Sequence, residues 1–140
     1  MKKFGEKVDG VEYSFRPGSY GVIIENRRVG VIKSARSGKY FLVGGGHDPN
    51  ESEIEALRRE ACEEIGREIE ILEKIGAALE YFYAEADRQY IAKECNFYRV
   101  RLLGENGNAA ENELVWIDKN QLGEMYHRSH EWIAEQELKI

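Results

Sequence analysis

The sequence predicts an α/β fold with a mixed β-sheet held between helices, and three observations lead there. Segments with strand-like alternation or β-branched runs precede, separate and follow two helix-like segments. One of those helix-like segments, about Glu51 to Ile65, repeats apolar residues at helical intervals directly after a glycine run, which makes a strand, glycine loop and helix unit. No repeat, low-complexity tract or linker breaks the chain, so its 140 residues are read as one domain, 1–140. A chain of this length buries roughly 68% of its unfolded surface, enough to fold alone.

The elements follow in order. VEYSFR (Val11–Arg16) alternates weakly, Pro17-Gly18 reads as a turn, and SYGVIIE after it reads as a buried strand. RRVGVIKSA (Arg27–Ala35) is the second arm of a hairpin across Asn26. Ser37-Gly38 turns the chain into KYFLV (Lys39–Val43), which the run Gly44–Gly46 ends. The central helix has Asn50 or Ser52 as N-cap and Gly66 where a left-handed C-terminal residue belongs. EILEKIGAALEYFYAE and QYIAKECNFYRVRLL are two long strands joined near Ala86–Arg88. A polar loop, Gly104–Asn112, leads to a short strand ELVWI, where Trp116 is a strand-packing residue. Asp118 caps a turn of helix through Leu122, and Ser129 to Leu138 is helical with Trp132 and Ile133 on its apolar side.

Charge and cysteine content narrow the function classes. A formal net charge of −6 argues against a broad basic face, so no nucleic-acid polymer is expected as a partner. A smaller phosphate-bearing ligand would need a cation or a local basic pocket. Cys62 and Cys95 lie far apart, match neither a zinc spacing nor a disulfide framework, and are read as free thiols in reducing cytoplasm. No run of eighteen apolar residues exists, and the start MKKFGEKVDG lacks the apolar stretch of a signal peptide. The protein is expected to be cytoplasmic, with no membrane partner.

The chemistry concentrates on the central helix. At 100° per residue, Ile54, Leu57, Ala61 and Ile65 fall within an arc of roughly 80°, a core-facing stripe. Glu53, Glu60 and Glu64 stack nearly on one line, with Glu63 about 60° to one side. Like charges at this spacing repel by a few tenths of a kcal/mol per pair, and a divalent oxygen-loving cation such as Mg²⁺ would reverse that repulsion. The bland reading is a solvated glutamate face in which Arg59 makes i,i+4 pairs with Glu55 or Glu63.

Spacing favours the metal. From Gly45 there are five residues to Glu51, seven more to Arg59, then Arg59-Glu60-Ala61-Cys62-Glu63-Glu64-Ile65-Gly66. This resembles the Nudix box, Gly45–Arg67 here, the signature of the Nudix hydrolase family; the surrounding elements are similar to the Nudix α/β/α sandwich. Arg67 replaces a usually aliphatic residue, and Val43 or Gly44 replaces a proline often found before the glycine pair. The resemblance implies one MutT-like domain that hydrolyses a nucleoside diphosphate linked to another group, with Mg²⁺ or Mn²⁺ as cofactor. It makes Glu60, Glu63 and Glu64 metal ligands, with the Gly45 carbonyl a further one. Glu51 would fix the loop or reach the metal through water, and Arg59 would orient the glutamates. Dimers are frequent in the family, so a homodimer is carried as an expectation.

The general base is a box glutamate, Glu60, or an acid of the later loop, among which Glu111 is favoured over Glu105 and Glu113 because it precedes the next strand. Tyr83 lies near a position where dinucleoside polyphosphate hydrolases of the family often carry tyrosine, although aromatics in YFY also suit plain sheet packing. The absence of a proline there tilts against ADP-ribose. Arg28, with Arg27, Lys33, Arg36 and Lys39, could meet phosphates from strands near the glycine loop. His127 and His130 are three apart without a third zinc ligand and are read as capping or surface residues. The leading expectation is a pyrophosphohydrolase of nucleoside triphosphates, oxidised ones included, or of dinucleoside polyphosphates. The alternatives are a non-catalytic nucleotide-sensing module on the same fold and an interaction domain with a solvated acidic helix.

Overall fold

The computed structural model describes residues 1–139. The chain runs β1 (Lys2–Phe4), β2 (Tyr13–Val22), β3 (Ile24–Glu25), β4 (Arg28–Lys33), β5 (Tyr40–Gly46), α1 (Glu53–Ile65), β6 (Arg67–Ala84), β7 (Gln89–Glu105), β8 (Val115–Ile117), a 3₁₀ turn at Lys119–Glu124 and α2 (Arg128–Leu138). The sheet order is β1-β6-β7-β2-β5-β4-β3, with β8 also on β4. β1 on β6 and β2 on β7 are parallel and the other pairs antiparallel, so the sheet is mixed. Leu57, Ala61 and Ile65 of α1 pack with Val43, Tyr98 and Val100 on one face. Ile133 and Ala134 of α2 pack with Leu42, Tyr20 and Phe97 on the other. Adjacent residues Leu42 and Val43 thus feed opposite cores, as the period-2 geometry of a strand requires. This is the expected α/β sandwich.

Two turn expectations are corrected. Pro17-Gly18 does not turn: β2 runs straight through it, in parallel register with β7 from Tyr13↔Tyr90 to Val22↔Arg99. The Pro17 carbonyl accepts from His47 N at 3.1 Å, so the missing proline N–H faces the side where the ladder with β5 has just ended and no donor is lost. The run Gly44–Gly46 does not end the strand either; Gly44, Gly45 and Gly46 pair with Tyr20, Ser19 and Gly18. At Gly44, φ is 148°, and a Cβ there would point into the backbone of β2, 2.1 Å from the Ser19 carbonyl oxygen, so the position takes no side chain.

The turn between β3 and β4 uses two residues of positive φ, Asn26 at 49° and Arg27 at 62°, the two-residue pattern whose twist suits a hairpin. In α1, Ser52 is the cap: its Oγ accepts from Glu55 N at 3.1 Å while the Glu55 carboxylate accepts from Ser52 N at 2.9 Å. Gly66 ends the helix at φ 63°. The expected core stripe needs one correction, because Ile54 is 43% exposed. The buried positions are Ala56, Leu57, Ala61 and Ile65, an arc rotated by about 50° toward the acidic line. Bare glycines on β5 permit that rotation: a Cβ on Gly45 would lie 2.6 Å from the Glu60 carboxylate. The helix therefore rests partly on its acids.

Candidate active site

Arg59 organises the glutamates. Its Nε and Nη2 donate to the two carboxylate oxygens of Glu51 at 2.7 and 2.9 Å, a bidentate pair, and Nη2 also donates to the Gly46 carbonyl at 3.0 Å. Nη1 donates to Glu60 at 3.0 Å and Glu63 at 3.2 Å. Glu51 in turn accepts from Asp48 N at 2.8 Å, which locks the turn before the helix. The Arg59 bond foremost, then the Asp48 N–H, hold the Glu51 carboxyl down at about 2. One guanidinium thus fixes the end of β5, the turn and two box acids.

The acids nearest the glycines are in the opposite electrical situation. Glu64 accepts from Gly44 N at 2.8 Å, yet burial pushes its carboxyl up to about 8, with the charges of Glu60, Glu111 and Glu63 adding to the rise. Glu60 is also raised, by burial first, against the pull of Arg59. Two partly desolvated carboxyls that resist ionisation are a donor set suited to a hard divalent cation, which would hold both as anions. Among the described residues no three acidic, histidine or cysteine side chains form a ready-made cluster, since Glu63 is turned to Arg59 and Glu64 to Gly44.

Glu111 is brought to the same place by the chain after β7. The last turn of a helix leaves carbonyls unpaired; here Glu111 N donates to Glu63 O at 3.0 Å and Asn112 N to Glu64 O at 2.8 Å. The Glu111 carboxylate is exposed, and its charge reaches both Glu60 and Glu64. Glu105, by contrast, is paired in register with Arg67 at the end of the β6/β7 hairpin. Glu53 leaves the acidic line: it accepts from Lys74 Nζ at 2.9 Å and Tyr98 OH at 2.6 Å on the core side. Its place at the first turn of α1, nearly two turns before Glu60, separates it from the cluster.

A cleft leads away from the acids. Its inner part is lined by Gly44, Glu64, Tyr20, Lys33 and Lys93. Its outer part, about 600 Å³, is walled by Phe41, Phe82, Tyr83 and Tyr126 with Arg16 and Arg36 at the rim. Phe41 and Tyr126 stack at 5.1 Å between centroids. Tyr83, 45% exposed, is therefore on a cleft wall. Arg28 lines neither part; it lies at the hairpin tip opposite Glu25, five residues along an extended strand from Lys33, roughly 17 Å away.

The histidines are corrected. His127 and His130 are buried, 4% and 0% exposed, and His127 precedes α2 without a side-chain capping bond. His127 Nδ1 lies 3.2 Å from Glu80, and His130 Nδ1 accepts from Leu42 N at 3.2 Å. Glu80, not His127, caps α2, accepting from Arg128 N and Ser129 N at 3.2 and 2.9 Å. Sequence reading passed over Glu80, Lys93 and Phe41. A signal for Lys93 was available: it occupies the apolar phase of the series Ile91, Lys93, Cys95, Phe97.

A sequence model of the NUDIX domain matches residues 15–137. No curated protein matches the sequence. Among solved structures, a NUDIX hydrolase from Nitrosomonas europaea is similar with a TM-score of 0.67 at 13% identity, over 89% of this chain and 88% of that one. A MutT NUDIX hydrolase from Burkholderia pseudomallei gives 0.65 at 22% identity over 88% and 98%. An ADP-ribose pyrophosphatase from Streptococcus suis gives 0.63 at 16% identity over 89% and 92%. At these identities the structural likeness establishes the fold.

Proposed function

The chain belongs to the Nudix hydrolase family, and from that premise we propose that it is a Mg²⁺- or Mn²⁺-dependent pyrophosphohydrolase acting on a nucleoside triphosphate or a dinucleoside polyphosphate. The observation that carries this reading is the raised carboxyl of Glu64 at the inner wall of an aromatic-walled cleft, with the raised carboxyl of Glu60 one turn back on α1. Glu60, Glu63, Glu64 and the Gly45 carbonyl would hold the cation. When bound there, it supplies neutralisation of the pyrophosphate, polarisation of the scissile P–O bond and a lowered pKa for the attacking water.

The chain's own residues do the rest. Arg59 holds Glu60 and Glu63 beside each other and joins them to the Gly46 carbonyl. Glu111, exposed and anchored through its own N–H to the helix that carries the ligands, accepts the proton of the water that attacks phosphorus. Tyr83 and the Phe41–Tyr126 pair offer faces on which a base stacks. The intact acids Glu60, Glu63 and Glu64 favour an enzyme over a nucleotide-sensing module.

The test is release of phosphate or pyrophosphate, with and without Mg²⁺, across ordinary and oxidised nucleoside triphosphates, diadenosine polyphosphates, ADP-ribose and nucleotide sugars. Metal-dependent formation of a nucleoside monophosphate from a triphosphate or dinucleotide is expected. Silence across the panel, with nucleotides still bound, would replace the enzyme by the sensing module.

A further inference from the structure

Lys93 is a cation at a position whose neighbours in the same strand phase, Ile91, Cys95 and Phe97, are buried. Its Nζ stands 5.1 Å from the centroid of Tyr20, and among the described residues it has neither an ion pair nor a hydrogen-bond acceptor. The side chain is half-buried rather than enclosed, and a cation over an aromatic face recovers only part of what an ammonium loses on leaving bulk water. Burial accordingly draws the amine below its ordinary range, with the charges of Cys95 and Glu80 opposing. An anion entering the cleft would therefore meet an ammonium that no described residue pairs.

Its location says which anion. Lys93 borders both parts of the cleft, with Gly44 and Glu64 on one side and Phe82, Tyr83 and Tyr126 on the other. A ligand with its base on the Phe41–Tyr126 wall and its pyrophosphate at Glu60 and Glu64 passes its first phosphate by this amine. We propose that Lys93 is the specificity-determining residue that binds the phosphate attached to the nucleoside, restricting the site to nucleoside 5′-phosphates whose base occupies the aromatic part of the cleft. The proposal rests on the reading of this cleft as the substrate site. Lys93 has a positioning role toward the reacting bond and no part in proton transfer.

The bland alternative is a lysine whose hydrocarbon stem covers Tyr20 and whose charge does nothing, and metal-free binding separates the two. Affinities of AMP, GMP, CMP and UMP, each against its uncharged nucleoside, are measured by calorimetry without divalent cation for the wild type, Lys93→Met and Lys93→Arg. The wild type is expected to prefer at least one monophosphate over its nucleoside by about tenfold or more. Lys93→Met should erase that preference while leaving nucleoside affinity within about twofold, and Lys93→Arg should restore most of it. Should Lys93→Met fail to fold by thermal melting, Lys93→Gln takes its place. Equal monophosphate affinity in the wild type and the neutral variant, or no preference in the wild type, overturns the proposal. A Lys93-dependent preference in a protein that turns over nothing sinks the hydrolase reading and spares this one; turnover with unchanged KM and kcat in the neutral variant does the reverse.

Discussion

Glu64 and Glu80 are two largely buried carboxyls with opposite fates. Glu64, on α1, has one backbone donor and three acidic neighbours, and is pushed up to about 8. Burial works to raise Glu80 as well, but the His127 bond, the His127 charge and the Ser129 contacts outweigh it, and the group is lowered. Glu80 also receives Arg128 N at the start of α2. Burial alone therefore does not mark a functional acid. A buried carboxylate supplied with donors holds a helix in place; one left short of them is available to a ligand.

Of the two carboxyls, Glu64 is where substitution should cost the most activity. Glu64→Gln is expected to lower kcat by about 10²–10³-fold with Mg²⁺ present, the scale of losing one group that stabilises developing charge. Its metal-free melting temperature should match or exceed the wild type, since a neutral amide replaces a carboxyl that resists ionisation. A large loss of stability with retained turnover would make Glu64 a structural residue like Glu80.

Glu80→Ala should behave in reverse. It leaves His127 and the N–H groups of Arg128 and Ser129 without their acceptor, at a cost of about 3 kcal/mol in urea unfolding. kcat in the folded variant, measured well below its melting temperature, should stay within about twofold. The smallest effect is in pH dependence. Burial lowers the His127 pKa despite Glu80, and Glu80 is itself lowered, so the fold prefers the deprotonated form of both. Their contribution is complete above the unfolded histidine value, about 6.5. It declines as pH falls, through His127 first and through Glu80 below about 4.5. Unfolding free energies of the wild type and His127→Phe from pH 8 to 4 should therefore show the shallower slope in the variant between pH 6.5 and 5.

What the sequence disclosed follows the range of the interactions involved. Helix α1 was legible because its periodicity, Ser52 cap and Gly66 terminus are local, and the box spacing named Arg59 and the three glutamates without any knowledge of the sheet. The β6/β7 hairpin was legible for the same reason. Pro17 was misread as a turn because its register is set by Glu94, far along the chain on β7. Gly44–Gly46 looked like a strand end because the paired β2 backbone, against which a Gly44 side chain would clash, comes from elsewhere in the chain. Ile54 was misplaced by a helix rotation that the glycine strand permits, and Glu53 by its distance along the axis from Glu60, which leaves it to Lys74 and Tyr98. His127 and His130 were hidden because their partners, Glu80 and Leu42 N, come from other strands.

The loop after β7 carries a consequence for how such a protein changes over time. Asn106 N is held by the Gly66 carbonyl at 3.2 Å and Glu111 N by Glu63, so both ends are pinned to α1 and its cap. Residues 107–110 between those pins are exposed, with Asn108 tied to Cys62 Sγ through its side-chain amide at 2.9 Å. Insertions beside Gly107 would alter the reach of the loop over the surface while the backbone bond of Glu111 to Glu63 keeps that acid at its helix. Length variation, and with it new contacts at the mouth of the site, can accumulate beside an acid whose position stays constant.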